Sequence, residues 1–387
     1  MNTAKVVTMK PKLLFLVTED WFFCSHFFER AWSAKAANYE VIVVTRDLER
    51  SKKIRNAGFT VIPINFNRRG INPLKDIKVI CQLIRIYWKE KPDIVHHIAA
   101  KPILYGTIAA LLTFKPAILN APVGMGYIFS MDNRVTRCIR PFLKTAYYFL
   151  LNPRKSKVVF ENNDDLKSFV SMKAVKLNDA ILIRGAGVDT TIFQRRSVEP
   201  SGIPVITLVS RMLWDKGISE FITAANIINK GNNIQARFIL VGDPDDDNPS
   251  AISRENLKSW HGVNGVEWWG WREDVAEVLN ATHIACLPSY REGLPKSLLE
   301  AAAVGLPIVT TDTVGCRDVV RDGQNGFLVP IKNAQLLAAN LKKLIYDPNL
   351  RLKMGLESRL IAENLFSSER IINETLVIYK DLLSKKS

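Results

Sequence analysis

The sequence predicts two doubly wound α/β domains in tandem, facing each other across an interdomain cleft. Three observations carry this: short apolar runs alternate with helical patterns, the alternation breaks once, and it then resumes in the same form. In the first series Leu13 to Thr18 reads as a strand, followed by a helix near Ser25 to Asn38 and strands at Val41 to Thr45 and Val61 to Ile64. A long helix near Pro73 to Lys89, a strand at Ile94 to Ile98, a helix near Pro102 to Phe114 and a strand at Ala117 to Ala121 complete it. Continuous Val/Ile/Leu strands without polar alternation belong to a parallel sheet covered on both faces. Between Ile183 and Ile203 helical periodicity is lost, and G-A-G-V-D is followed by Pro200, Gly202 and Pro204. The second series runs through Val205 to Val209, a helix near Gly217 to Lys230, Arg237 to Val241, Gly265 to Trp269, Ile284 to Pro288 and Ile308 to Thr310. The expected domains therefore span 1–190 and 191–365, with 366–387, which carries a helix near Ser368 to Ser384, able to pack back on the first. Doubly wound domains hold ligands at the carboxyl ends of their strands.

The 387 residues are 47% hydrophobic and 24% charged, which suits two full cores without a large disordered part. No apolar run reaches the length of a membrane span, and the first residues lack a signal-peptide pattern, so a cytoplasmic location is expected. Five scattered cysteines without C-x-x-C spacing argue against a disulfide framework or a zinc site. The net charge of +15 is one-sided: residues 1–184 carry 30 Lys and Arg against 14 Asp and Glu, and the remainder 23 against 24. Such a field points to an extended anionic partner, a membrane surface or a nucleic acid.

The chemistry concentrates in the second series. S-Y-R-E-G-L-P-K-S-L-L-E-A-A-A-V-G links two strands through a helix whose first position Pro295 suits, so the amides of Gly293, Leu294 and their neighbours can face an anion. Glu300 lies 1.5 turns in, placed for a group behind a phosphate such as a ribose diol, and Glu292 precedes the helix. A solvated Lys296–Glu300 pair is the alternative, disfavoured by the small apolar run that follows. Arg211 and Lys216 flank the turn after Val205 to Val209, where two cations suit a diphosphate. Gly242 in V-G-D-P-D-D-D permits close backbone approach. Asp243 and Asp245 spell D-x-D, yet the composition reads as a turn and no metal is expected. Trp271, after Gly270, can face a base; Trp268 and Trp269 suit either that role or packing.

R-M-L-W-D-K-G, V-G-D, G-W-R-E-D and E-G-L-P-K-S-L-L-E follow in the order and spacing of the retaining family 4 glycosyltransferases of the GT-B fold, which the chain resembles over essentially its whole length. The resemblance implies a UDP-sugar donor, with Arg211 and Lys216 on its diphosphate, Glu300 on its ribose, and Glu292 with the Gly293 to Pro295 amides near sugar and phosphates. In the first half, T-E-D-W-F-F-C-S-H, P-D-I-V-H-H-I-A-A-K-P-I-L-Y-G and N-A-P-V-G-M-G-Y-I-F look like the branch that elongates sugars on undecaprenyl diphosphate, galactosaminyl- and N-acetylgalactosaminyltransferases included. Glu19, Asp20, His96, Lys101 and Gly124 are the corresponding acceptor-side candidates. Where the family carries a glycine-rich first loop this chain has Glu19, Asp20 and Trp21, and where it carries H-x-H this chain has adjacent His96 and His97.

Neighbours on a strand point to opposite faces, so one of the two histidines can face the cleft; His97, nearer the carboxyl end, is expected beside the reacting sugar and His96 in the core. Arg134, Arg137, Arg140 and Lys144 recur at three- and four-residue steps among aromatics, as on a helix pressed to anionic lipid. The expected enzyme moves a hexose or N-acetylhexosamine from a UDP-sugar to a polyprenyl-diphosphate-linked sugar with anomeric retention. It needs no cofactor or metal and sits on the cytoplasmic face of the inner membrane. A UDP-sugar 2-epimerase of the same fold and a basic nucleic-acid-binding protein are the rival readings, the latter lacking any recognised nucleic-acid motif.

Overall fold

The computed structural model describes residues 10–66, 73–114, 116–123, 145–194, 199–230 and 235–384. Gly124, Arg134, Arg137, Arg140 and Lys144 lie outside the described residues. The chain separates into two compact units, Met1–Ile183 with Ile372–Ser387, and Arg184–Ile371.

The first unit is built on β1 (Lys12–Leu16), β2 (Glu40–Thr45), β3 (Thr60–Pro63), β4 (Ile94–Ile98), β5 (Ala117–Ala121), β6 (Ser156–Phe160) and β7 (Ala180–Leu182). They form one parallel sheet in the order β3-β2-β1-β4-β5-β6-β7. Every residue of I-V-H-H-I in β4 and of A-I-L-N-A in β5 is buried, as two covered faces require. Among the described residues its helices are α1 (Asp20–His26), α2 (Phe28–Ala36), α3 (Ser51–Asn56), α4 (Pro73–Glu90), α5 (Ala100–Leu111) and α6 (Asn163–Ser171). The single helix expected near Ser25 to Asn38 is two, because Phe27 at φ −126°, ψ −8° breaks the helical path. Asn162 caps α6 reciprocally, accepting from the Asp165 amide at 2.8 Å while its Nδ2 donates to the Asp165 carboxylate at 2.9 Å.

The second unit repeats the winding with β8 (Val205–Val209), β9 (Arg237–Val241), β10 (Val266–Trp268), β11 (Ile284–Leu287), β12 (Ile308–Thr311) and β13 (Gly326–Val329), in the order β10-β9-β8-β11-β12-β13. Its helices are α7 (Ile218–Ile228), α8 (Arg254–Trp260), α9 (Val275–Asn280), α10 (Lys296–Val304), α11 (Cys316–Val319), α12 (Ala334–Tyr346) and α13 (Pro348–Ile361). In both sheets the winding reverses beside the first strand of the series, between β1 and β4 and between β8 and β11, where doubly wound sheets open a crevice. The structure adds β6, β7 and β13 to the expected strands; β7 and β13 are only three and four residues long.

The last helix, α14 (Ser368–Ser384), starts in the second unit and continues into the first. Tyr379 on it is fully buried, its hydroxyl 2.9 Å from His96 Nδ1 and its ring 6.0 Å from that of Tyr39. At the other end of the second unit, Val188 donates to Phe366 O at 2.8 Å and Ser368 donates to Val188 O at 2.9 Å. No described helix is long and apolar enough to cross a membrane.

Candidate functional site

The carboxyl edge of the second sheet gathers the predicted donor-side residues through backbone approaches that only glycine allows. Beyond β8, Ser210 turns under β9: a Cβ on Gly242, at φ +132°, would lie 1.9 Å from the Ser210 carbonyl oxygen. After β8 a short turn, Trp214–Lys216, ends at Gly217, whose φ of +72° opens α7 and whose added Cβ would stand 2.0 Å from Pro288 O. The loop after β11 is tied to that turn: the Tyr290 amide donates to Asp215 O at 2.9 Å and Ser289 Oγ to the same oxygen at 3.2 Å. Tyr290 OH in turn reaches Glu220 of α7 at 2.9 Å.

This frame places Lys216 Nζ 2.6 Å from Glu292 Oε1, with both side chains largely shielded from solvent. Arg211 pairs with Asp245 at 2.6 Å, and Arg254 with Asp243 at 3.4 Å. Asp243 and Asp245, the D-x-D residues, thus each face an arginine, and no group of three metal-ligating side chains occurs among the described residues. Trp271 is exposed next to Gly270, whose carbonyl accepts from the Gly242 amide at 2.8 Å. The neighbouring Trp268 donates its indole N–H to Gly242 O at 2.8 Å, a structural bond that holds the β9 and β10 ends together.

Pro295 is the cap residue before α10, at φ −71°, ψ 111°, and not its first helical residue. Its carbonyl accepts from Leu298 at 3.0 Å and Leu299 at 3.3 Å, so helical bonding begins there and the Lys296 and Ser297 amides lie in the first turn. Glu300 is buried on α10, and its carboxylate lies 3.6 Å from Lys296 Nζ. Burial pushes its pKa upward against the pull of Lys296. The i,i+4 pair of the bland alternative exists, but its acid is buried and not on a solvated face.

A residue that the motifs did not single out is Gly315, before α11. A Cβ there would stand 2.4 Å from Gly293 O and 2.9 Å from Glu292 O, and Glu292 donates its amide to Val314 O at 3.2 Å. Gly315, at φ +79°, thereby supports the E-G-L-P loop from behind. T-V-G-C directly after β12, a glycine at a strand's carboxyl end, is the signal that could have found it.

The first sheet corrects three expectations at its own carboxyl edge. His97, expected beside the reacting sugar, lies inside the core with both nitrogens engaged, Nε2 3.0 Å from Tyr87 OH on α4 and Nδ1 3.0 Å from Asn120 Oδ1. Gly106 of α5 presses on the ring, since a Cβ there would come 2.6 Å from Nε2. The Asn120 amide is itself oriented by donating to Leu150 O at 3.4 Å, which makes Nδ1 the protonated nitrogen and Nε2 the acceptor. Burial holds the imidazole neutral, its pKa lowered to about 4. His96 is also buried, between Phe15, Phe27 and Tyr379, and burial with the nearby Arg30 charge keeps its pKa well below the ordinary value.

Asp20, an expected acceptor contact, braces a turn instead: its Oδ2 accepts from the amides of Leu48 at 3.1 Å and Ser51 at 2.8 Å and from Ser51 Oγ at 3.0 Å. Glu19 is buried and paired with Arg46 at 2.9 Å. Both carboxylates serve the loop after β2. Lys101 sits half-buried in the first turn of α5, behind Ala99, which holds φ +75°, ψ 173° while its N–H donates a hydrogen bond to Ala121 O at 2.9 Å. A non-glycine residue in that region is strained, and here strand and helix together impose it.

Comparison with known proteins follows this division. A family profile described as glycosyl transferases group 1 matches residues 203–347, and one described as glycosyl transferase 4-like matches 12–162. The N,N'-diacetylbacillosaminyl-diphospho-undecaprenol alpha-1,3-N-acetylgalactosaminyltransferase of Campylobacter jejuni is 29% identical over 82% of this chain and 84% of its own. The UDP-Gal:alpha-D-GlcNAc-diphosphoundecaprenol alpha-1,3-galactosyltransferase of Escherichia coli is 24% identical over 82% of this chain and 83% of its own. A crystal structure of a glycosyltransferase from Rickettsia africae superposes with a TM-score of 0.76 at 19% identity, covering 97% of this chain and 99% of that one.

Proposed function

The chain belongs to the glycosyl transferases of group 1, in the GT-B fold, and from that premise we propose that it moves a hexose or N-acetylhexosamine from a UDP-sugar to a sugar carried on polyprenyl diphosphate, with retention of the α configuration. The observation that carries the donor side is the Lys216–Glu292 pair at 2.6 Å, set where the winding of the second sheet reverses and beside the start of α10. The acceptor reading is supported by the relatives that act on undecaprenyl-diphosphate sugars.

In this reading the donor diphosphate takes Lys216 from Glu292 and Arg211 from Asp245, while the first-turn amides of α10 meet it from the helix side. Charge that develops on the departing UDP is then met by cations already in place, so little reorganisation is needed as the glycosidic bond breaks. Glu292, released from Lys216, accepts hydrogen bonds from sugar hydroxyls. Glu300 accepts from the ribose diol, and a ligand's hydroxyl donors favour the ionised carboxylate that burial disfavours. The acceptor hydroxyl attacks from the face that the phosphate leaves, and the phosphate receives its proton. The second unit takes the donor and the first the lipid-linked acceptor, at the cytoplasmic face of the inner membrane.

The reaction is tested by incubating the purified chain with a panel of UDP-sugars and short-chain polyprenyl-diphosphate mono- and disaccharides. Mass spectrometry should find one added sugar, α-linked by NMR, and stoichiometric UDP. UDP release without an extended lipid, or no turnover with any pair, defeats the acceptor assignment.

A further inference from the structure

We propose that the outer face of α4, continued by the end of α5, is a docking surface for an anionic lipid bilayer. The choice of partner rests on the lipid-linked acceptor above; the surface itself does not.

The helix α4 has 18 residues and runs roughly 27 Å. Its inner face, with Val79, Leu83 and Tyr87, enters the core of the first unit. The outer face carries Leu74, Ile77, Cys81, Arg85 and Trp88 at steps of three and four residues, all exposed. Leu74 is 81% exposed, Ile77 57% and Trp88 52%. Large apolar side chains scattered singly on a surface need no explanation, but these form a row, and the row does not stop with α4. Trp88 packs edge-on against Phe114 at 4.3 Å, beside the exposed Leu111 and Leu112 that end α5. Lys91 Nζ stands 5.6 Å over the Phe114 ring.

The charges of this face have one sign. Lys75, Lys78, Arg85 and Lys89 are exposed on α4, whereas its two acids are turned aside: Asp76 bonds the Tyr105 hydroxyl, and Glu90 lies 3.8 Å from Lys12. Apolar side chains interleaved with cations along one helix face suit a headgroup layer, where the chains enter the acyl boundary and the cations meet phosphates. A nucleic acid would use the cations and leave Leu74, Ile77 and Leu112 in water. A second copy docking isologously would set the row of cations against its own image.

The test uses the purified full chain and vesicles of phosphatidylcholine with or without phosphatidylglycerol. The wild type should float with the anionic vesicles at least about tenfold more than with zwitterionic ones. Lys78→Glu with Arg85→Glu should abolish that preference, and Ile77→Asp with Trp88→Asp should lower partition into both, with circular dichroism and UDP affinity unchanged. Independently of any variant, anionic vesicles should slow maleimide labelling of Cys81, read at that residue by peptide mass spectrometry. Wild-type flotation that both double variants retain, unchanged Cys81 labelling in bound protein, or a dimer that the variants dissolve while vesicles are ignored would each overturn the proposal. UDP affinity reports on the donor site alone, so loss of flotation with UDP binding intact removes this surface and leaves the transferase reading standing.

Discussion

At the carboxyl edge of the second sheet, charged side chains meet one another near the surface, Lys216 with Glu292 and Arg211 with Asp245, on turns that glycine alone permits. At the matching edge of the first sheet, polar groups of similar promise lie below the surface and serve the fold: His97 is held by Tyr87 and Asn120, and Asp20 by Leu48 and Ser51. The same winding therefore supports two uses of polar residues. An ion pair at an edge can exchange partners with an anionic ligand, whereas a buried, fully bonded imidazole cannot do so without opening the core.

Four experiments would break or sharpen that contrast. The largest effect is expected from Lys216→Ala, which removes a cation from the leaving diphosphate: turnover at saturating substrates should fall on the order of 100- to 1000-fold. A loss confined to KM would place Lys216 in binding alone. Next, acid should unfold the first unit through His97. Its folded pKa of about 4 lies below the unfolded 6.5, so stability that is complete above pH 6.5 is lost as pH falls toward 4. The loss is on the order of 3 kcal/mol, with His96 acting in the same direction. Denaturant titrations from pH 7 to pH 4 should show it, and His97→Gln should flatten the slope; an unchanged slope would return His97 to solvent and to candidacy for chemistry.

Gly315→Ala should then cost about 2 kcal/mol of UDP affinity by displacing the Glu292–Gly293 backbone, measured by calorimetry, without moving the acid unfolding of the first unit. The smallest effect is expected from Glu300→Gln, which keeps the side chain's size and loses its charge: UDP affinity should drop about tenfold, or roughly 1.4 kcal/mol. Equal affinities for UDP and uracil diphosphate analogues lacking the ribose diol, in the wild type, would remove Glu300 from that role.

Legibility in the sequence followed the range of the physics involved. The E-G-L-P-K-S-L-L-E loop and the R-x-x-x-x-K turn are local, and the residues they contain do assemble at one sheet edge, because strand ends, glycines and a helix start are all set within a few positions. His96 lies in the core as expected, but His97 does too, because strand alternation says that neighbours diverge and not what covers each face. His97 points to Tyr87 and Gly106, and His96 to Tyr379, 283 residues away. Gly315 was missed for the same reason: its role is a contact with a loop more than twenty residues earlier, visible only once β11 and β12 are paired. β7 and β13 were too short for periodicity to register.

The course of α14 has a consequence for how the protein is made. Because Tyr379 is part of the first unit's interior, that unit lacks one wall until α14 has been made, which happens only after the whole of the second unit has been translated. Synthesis order and completion order are thus inverted: the half translated first is finished last. A released chain truncated before residue 372 should protect the second unit from protease and leave His96 and Phe27 accessible in the first.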